Sequence, residues 1–370
     1  MKLCSKLLAS ALAVGVSFAP VPAAAQRPAA PPPVTPGEDA LSAEIARVAR
    51  ALRDETRTDD QWKGFRGAAQ PLVERAAGSA AAGRRLVALA RLVPAWTGVE
   101  VQRYLQAHRG GDIAAVEQEW KRVGAELEAG RARRKAAVES LPAALRAFAE
   151  IADAQIDAYR QASLEYARAT EPLAGFYYLG EAQAQAALVE LLPRIAPGLG
   201  RGAAPPVRSV APELDALDAA VAEAYVPPAS AEQHPAFIRL GSTMKQAREL
   251  DAAGSHYGAL NRYLEARLRL AQIRAGAQAG RLDPRTAASR AAPFAARLAQ
   301  DGLDHGVGRL FLELAEDDAQ NAPADGVPAS AAFLLDDVLP RYFEALQPPA
   351  RAAAARGPAV NVTLVRWPYT

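Results

Sequence analysis

The chain has 370 residues, of which 50% are hydrophobic and 23% are charged, and its formal net charge is only +2. Proteins that bind nucleic acid concentrate an excess of positive charge on one surface, so this balance argues against a nucleic-acid partner. The single cysteine, Cys4, excludes an intramolecular disulfide and a cysteine-based metal site.

Residues 1–25 have the three parts of a cleavable secretory signal. Lys2 and Lys6 form a basic start, an apolar stretch follows, and alanines precede Gln26. We predict cleavage after Ala25 and a mature protein that is periplasmic or secreted. No later run approaches the roughly 18 apolar residues that a membrane helix needs, so no integral membrane span is predicted. Removing both lysines with the signal leaves 41 Lys and Arg against 41 Asp and Glu.

The remaining chain, about 345 residues, exceeds the size at which one hydrophobic core usually stops growing. We therefore expect two packed subdomains or one elongated array, divided where prolines and glycines are dense. The predicted segments are a Pro/Ala-rich flexible leader (26–37), an N-terminal helical half (38–197), a linker (198–212), a C-terminal helical half (213–347) and a tail (348–370).

Apolar residues recur every three or four positions through both halves, which is typical of amphipathic α-helices. Proline and glycine predict a kink at Pro71, a helix end near Pro94 and a C-cap at Gly130. Residues 142–169 and the helix after Pro172 are predicted to form an antiparallel pair. Further helices are predicted at about 212–225, 236–253, 256–277, 285–300, 304–319 and 329–346. The predicted fold class is all-α, with antiparallel helical hairpins in a bundle or a solenoid-like array.

The tail contains the one segment with the alternating pattern of a β-strand, at 359–367. An isolated strand leaves backbone groups unpaired, so it needs a neighbour. That neighbour is a short internal strand at 207–210, the surface of the helices, or the edge of another protein. The residues that would contact a protein partner are Val360, Val362, Leu364 and Trp367.

Residues 240–270 resemble a single tetratricopeptide-type helical hairpin. The matching positions are Ala247 and Leu250 in the first helix, Gly254 at the turn, and Ala259, Tyr263 and Ala266 in the second. Thr243 and Gln246 replace large apolar residues of the family pattern, and no second copy occurs at the family's spacing of about 34 residues. A generic α-hairpin has the same pattern. The resemblance implies a scaffold whose concave face binds peptides or proteins.

One short motif suggests a nucleophile. Ser242 and Lys245 have the Ser-x-x-Lys spacing of penicillin-binding proteins and serine β-lactamases. Those enzymes also need a later Ser-x-Asn element and a Lys-Thr-Gly strand, but no lysine follows Lys245. We therefore predict that Ser242 lies near a helix start, that Lys245 is solvated, and that neither is catalytic.

No pattern predicts a metal or cofactor site. The histidines are too far apart for a shared metal ion, and they are His108, His234, His256 and His305. Asp301 and Asp304 are expected to accept amide hydrogen bonds at a helix start. Glu150, Asp153 and Asp157 lie along one helix between arginines, so we expect a solvated, ion-paired face and not a catalytic carboxylate pair.

Aromatic residues are the remaining candidates for partner binding. They are Phe176, Tyr177 and Tyr178 in one cluster, and Tyr257 and Tyr263 on the predicted hairpin. We predict an exported, non-enzymatic helical scaffold or binding protein for a protein or peptide partner. The alternative is an exported enzyme acting on cell-wall or polysaccharide material, whose groups converge only in the folded chain. A broad groove with scattered polar residues favours the first, and a deep pocket where carboxylates, histidine or serine meet favours the second.

Overall fold

The regular structure of this protein is helical. The computed structural model describes residues 39–54, 60–200, 202–227, 230–275, 282–321 and 330–346. Every regular element within these ranges is a helix, which confirms the all-α prediction. The predicted signal, the leader and the strand at 359–367 lie outside the described residues.

The helices follow one another along the chain in two groups. Those of the N-terminal half are α1 (Ala40–Asp54), α2 (Asp60–Ala81), α3 (Arg85–Ala107), α4 (Ile113–Ser140), α5 (Ala143–Ala169) and α6 (Pro172–Ile195). Those of the C-terminal half are α7 (Ala211–Ala224), α8 (His234–Ala252), α9 (His256–Ala275), α10 (Pro284–Ala299), α11 (Gly306–Asn321) and α12 (Ser330–Phe333). A π-helical turn (Leu334–Val338) then joins α12 to α13 (Leu339–Leu346). None of these described helices is both long and apolar enough to cross a membrane.

Two predicted helix ends are wrong. α3 continues through Pro94, because residues beyond it such as Trp96 and Val99 are buried, and this burial outweighs the lost amide hydrogen bond. α4 continues through Gly130, where the side chain of Arg134 folds back and donates from Nη1 to the Leu127 carbonyl at 3.0 Å. A Cβ at position 130 would lie 2.8 Å from that Nη1, so the glycine makes room for the arginine.

Helix α5 connects three large apolar cores, because it contributes buried side chains to each of them. Leu145 packs in the core formed with α1, α2, α3 and the end of α6. Ile151 packs in the core formed with α7 to α13, and Ile156 packs in the core formed with α4 and the first half of α6. Among the described helices, α5 and α6 make the most extensive contact, and the short connection between them makes them antiparallel, as predicted.

Helices α8 and α9 form a hairpin over the residues predicted for one. Gly254 has a φ of +78° at the turn, a left-handed conformation that favours glycine. Ala247, Ala259 and Ala266 are almost completely buried, and small residues of this kind let two helices approach closely.

The internal strand proposed at 207–210 is wrong, because this segment has no regular structure. Its donors bind a single carboxylate instead: the Val210 amide donates to Asp251 Oδ1 at 3.2 Å, and Ser209 Oγ donates to Asp251 Oδ2 at 2.6 Å. The segment is thereby tied to the end of α8.

Candidate functional site

A cavity of about 810 Å³ lies where the two helical halves meet, and we call it the central cavity. Helices α3, α5 and α6 line one side, α9 and α11 line the other, and the start of α2 forms part of the rim. This volume lies within the range of roughly 300–1,000 Å³ that is typical of sites for small organic ligands. The central cavity is therefore large enough for a short peptide or a drug-sized molecule.

Much of the wall is apolar. The aliphatic and phenylalanine side chains that line it are Phe65, Val93, Val101, Phe148, Ile151, Leu188, Leu268, Leu310, Phe311 and Leu314. Gly98 of α3 shapes this wall, because a Cβ there would overlap the ring of Phe65. The glycine thus allows α2 to pack closely on α3 and brings an aromatic ring to the rim.

Carboxamide side chains are unusually frequent among the polar groups of the wall. They are Gln61, Gln102, Gln155, Gln185, Asn261 and Gln272. Each carboxamide carries both a hydrogen-bond donor and an acceptor, as a peptide bond does. This set of groups can bind the amides of a ligand in either orientation.

Two polar atoms of the wall are buried without a hydrogen-bond partner among the described residues. They are Thr97 Oγ1 on α3 and Asn261 Oδ1 on α9, and their residues are only 7% and 8% exposed. Leaving a buried polar atom unpaired costs about 1–3 kcal/mol. Both atoms are covered by the surrounding protein, so a ligand in the cavity reaches them only if neighbouring side chains move.

One face of α9 supplies most of the charge. Arg262, Glu265 and Arg269 lie three and four positions apart, so the helical period of 3.6 residues places them together. Glu265 accepts from Arg262 Nη1 at 2.6 Å and from Arg269 Nη2 at 2.5 Å. Burial alone would raise the pKa of Glu265, but the two guanidinium charges outweigh burial and hold this pKa below its usual range. Glu265 is therefore ionised and spans both arginines.

Glu181 of α6 is the other carboxyl group of the wall, and it is 9% exposed. Burial raises the pKa of Glu181, and the neighbouring side chains of Tyr177 and Gln185 oppose this only in part. Burial also raises the pKa of Tyr159, which feels the charges of both Glu181 and Arg262. One cavity thus contains two carboxyl groups whose pKa values are shifted in opposite directions.

The predicted aromatic residues occupy different environments. Tyr177 lines the central cavity. Phe176 is 1% exposed in the core shared by α4, α5 and α6, where its ring stacks on His108 with centroids 5.0 Å apart. Tyr178 is half-buried and packs against Tyr166, with ring centroids 4.6 Å apart.

The two tyrosines predicted on the α8–α9 hairpin both serve packing. Tyr263 is 3% exposed, and burial raises its pKa to about 12. Tyr257 donates from its hydroxyl to the Pro205 carbonyl at 2.8 Å, and the Arg146 guanidinium lies 4.9 Å from its ring centroid. The four tail candidates, Val360, Val362, Leu364 and Trp367, lie outside the described residues.

Sequence patterns missed the polar groups that converge on the central cavity. Glu181 and Gln185 offered one signal, because they lie four positions apart among the apolar residues of α6 and so share its buried side. Thr97 and Asn261 offered none, since their common environment depends on how α3 and α9 pack.

The Ser-x-x-Lys motif does not form a site. Lys245 is solvated, as predicted, and its Nζ lies 3.7 Å from Glu249 Oε1. Ser242 is exposed, but the prediction that it lies near a helix start is wrong, because α8 begins at His234 and places Ser242 near its middle. Neither residue lines the central cavity.

The acidic line on α5 is only partly the solvated face that the sequence predicted. Asp153 pairs with Arg134 at 3.1 Å and Asp157 with Arg131 at 3.4 Å, as expected. Glu150, however, is 5% exposed and accepts the Gly258 amide at 2.7 Å. It is buried because it satisfies a free amide in the first turn of α9.

The acidic residues near His305 also have structural roles. Asp304 accepts the amide of Ala143 at the start of α5 at 2.6 Å, and His305 lies between Asp301 and the Tyr342 hydroxyl. Within the described ranges, no group of three or more His, Cys, Asp or Glu residues is arranged to hold a metal ion.

Comparison with known proteins leaves the central cavity as the basis for assigning a function. Neither protein-family models, curated protein sequences nor solved structures match this chain.

Proposed function

We propose that this protein is an exported, non-enzymatic binding protein that holds a peptide segment in the central cavity. The observation that carries the proposal is the wall of a cavity of about 810 Å³, in which six carboxamide side chains lie among aliphatic and aromatic ones. Peptide N–H and C=O groups are suitable hydrogen-bond partners for carboxamides. Export follows from the secretory pattern of residues 1–25.

The composition of the wall favours a peptide over a purely apolar ligand. Its carboxamides match the alternating donors and acceptors of a peptide backbone, and its aliphatic and aromatic side chains can surround apolar side chains.

The hairpin of α8 and α9 supports the same class of function. We propose that it is related to tetratricopeptide hairpins and that the helices form a short solenoid-like array. In this interpretation the face of α9 that lines the central cavity, with Asn261, Arg262 and Gln272, is part of the peptide-binding wall. The predicted strand at 359–367 is then a second docking element for a protein partner.

Capture of a peptide library tests the proposal. The purified protein is incubated with a randomised pentapeptide library that contains no Asp or Glu, separated from free peptide by gel filtration, and analysed by mass spectrometry. Gln155→Trp places an indole in the central cavity, because Gln155 is a half-buried residue of its wall. We expect the wild-type protein to retain a subset of peptides and Gln155→Trp to retain at least tenfold less.

Gln161→Trp is the matched control. Gln161 lies on the same helix, but it is exposed and does not line the central cavity. The Gln161→Trp variant should therefore retain as much peptide as the wild-type protein. No retention by the wild-type protein, or equal losses in both tryptophan variants, would refute the proposal.

One observation favours an enzyme as the second candidate. Glu181 and Glu265 line one cavity with pKa values shifted in opposite directions, as in the acid and base pair of a glycoside hydrolase. That candidate predicts release of soluble sugar fragments from labelled cell-wall polysaccharide, with loss of release in Glu181→Gln. The binding proposal predicts no turnover, since both arginines beside Glu265 occupy its oxygens.

A further inference from the structure

We infer that the central cavity binds an ammonium group of its peptide at Glu181. This inference rests on the proposed function and names a chemical group that the peptide carries. Three features lead to it: the existing ion pairs of the wall, the neutral surroundings of Glu181 and the oxygens beside it.

The charges of the wall balance in number but not in place. The charged side chains that line the central cavity are Glu181, Arg262, Glu265 and Arg269. Both arginines pair with the same carboxylate, because Arg262 Nη1 lies 2.6 Å from Glu265 Oε2 and Arg269 Nη2 lies 2.5 Å from Glu265 Oε1. Among the described residues, no basic side chain forms an ion pair with Glu181. Glu181 is therefore the acid of the wall that lacks a cation.

The side chains that interact with Glu181 are neutral. They are Tyr177, one turn before it on α6, and Gln185, one turn after it. Burial raises the pKa of Glu181, whereas two arginines lower the pKa of Glu265. A positively charged ligand group would supply the partner that Glu181 lacks.

Glu181 borders the cavity and keeps acceptor positions for a ligand. It lines the wall, and its oxygens are not among the fully covered atoms without a partner, unlike Thr97 Oγ1 and Asn261 Oδ1. A carboxylate has about four acceptor positions, so one donor each from Tyr177 and Gln185 leaves about half of them free. A group in the cavity can therefore bind to Glu181 itself.

An ammonium group matches the chemistry around Glu181. It is a compact cation with three N–H donors. Glu181, the Gln185 carboxamide and the Tyr177 phenol each offer an oxygen that accepts a hydrogen bond. Tyr159 lines the same cavity and feels the charge of Glu181, and a tyrosine ring attracts a cation placed over its face. Peptides carry an ammonium at the N-terminus and on lysine side chains.

Three matched pentapeptide libraries test the inference. All lack Asp, Glu, Arg and His. The first has a free N-terminus and no lysine, the second has an acetylated N-terminus and one lysine, and the third has an acetylated N-terminus and no lysine. We expect the wild-type protein to retain the first or the second at least tenfold better than the third, which corresponds to about 1.4 kcal/mol. A preference for the first assigns the N-terminal ammonium, and a preference for the second assigns the lysine side chain.

Three variants assign the preference to Glu181. Glu181→Gln should abolish it, because this substitution keeps the size of the side chain and removes its charge. Glu181→Asp should keep part of the preference, because it keeps the charge. Glu190→Gln is the matched control, since Glu190 lies on the same helix but is exposed and does not line the central cavity. It should retain the three libraries as the wild-type protein does, and circular dichroism should show wild-type helicity in all variants.

The outcomes separate this inference from the proposed function. Equal retention of the three libraries by the wild-type protein would overturn the ammonium inference and leave the proposed function standing. Retention of none would overturn both. A preference that survives in Glu181→Gln, including one in which all three libraries are retained less by the same factor, would show that Glu181 has only a structural role and would overturn the inference.

Discussion

Asp317 provides the strongest test of the packing between the two halves. Its carboxylate on α11 is fully buried and accepts hydrogen bonds from Ser79 Oγ and Arg84 Nε, both at 2.9 Å. It also pairs with Arg91 of α3. One carboxylate thus ties α2, the loop after it and α3 to α11.

The expected effect of Asp317→Asn follows from the burial of its partners. The side chains of Arg84 and Arg91 are only 10% and 14% exposed, so the variant removes the nearest anion from two largely buried cations, and among the described residues only Arg91 keeps a second one, Asp318 at 3.6 Å. Removing one partner of a buried ion pair costs about 3–5 kcal/mol, and we expect that loss in the free energy of unfolding. Asp218→Asn is the control, since Asp218 is 56% exposed in its pair with Arg248 and should contribute at most about 1 kcal/mol.

Denaturant unfolding followed by circular dichroism measures both variants, and acid adds an independent check. Burial alone would raise the pKa of Asp317, but Arg91 and the hydrogen bonds from Ser79 and Arg84 lower it. The stabilisation is therefore complete above the unfolded pKa of about 3.9 and is lost as pH falls through the lower folded pKa. The difference in the free energy of unfolding between the wild type and Asp317→Asn should therefore become smaller as the pH falls through the folded pKa of Asp317. An effect no larger than that of Asp218→Asn would refute this account.

Two further predictions concern a histidine and two glycines. Burial alone would lower the pKa of His108, but its hydrogen bonds, chiefly to Glu119, raise it above about 6.5. The contribution of His108 to stability is therefore complete below that pH and is lost as the pH rises through its folded pKa. NMR titration should show a lower pKa of His108 in Glu119→Gln. An unchanged pKa of His108 would contradict the conclusion that Glu119 raises it. A Cβ at Gly306 would lie 2.7 Å from a backbone nitrogen of α5, whereas one at Gly241 meets nothing within 4 Å. Thermal unfolding should show Gly306→Ala destabilised by about 1–3 kcal/mol and Gly241→Ala stabilised by about 0.5–1 kcal/mol; the reverse order would contradict the packing.

Apolar periodicity was enough to predict the fold class and the antiparallel pair of α5 and α6. It failed at Pro94 and Gly130, because helix ends depend on tertiary contacts that a local pattern does not contain. Trp96 and Val99 are buried beyond the proline, and Arg134 covers the glycine. In both cases burial or a side-chain hydrogen bond outweighs the local preference.

The candidate site was much less predictable than the fold. Among the predicted partner-binding residues that the structure describes, Tyr177 alone lines the central cavity, whereas Phe176 and Tyr263 belong to apolar cores. Thr97 and Asn261 are more than 160 positions apart and line one cavity only because of how α3 and α9 pack in the folded chain. Polar residues brought together in this way leave no local spacing to detect.

The position of bound peptide tests the central claim most directly. A pentapeptide library with a free C-terminus and an N-terminal benzophenone is bound to the protein, cross-linked by light, and mapped by mass spectrometry. We predict cross-links in the cavity-lining segments of α3, α5, α6 and α9. Cross-links confined to the exposed apolar residues Tyr225, Val226 and Ile238, or none at all, would contradict the assignment of the central cavity as the binding site.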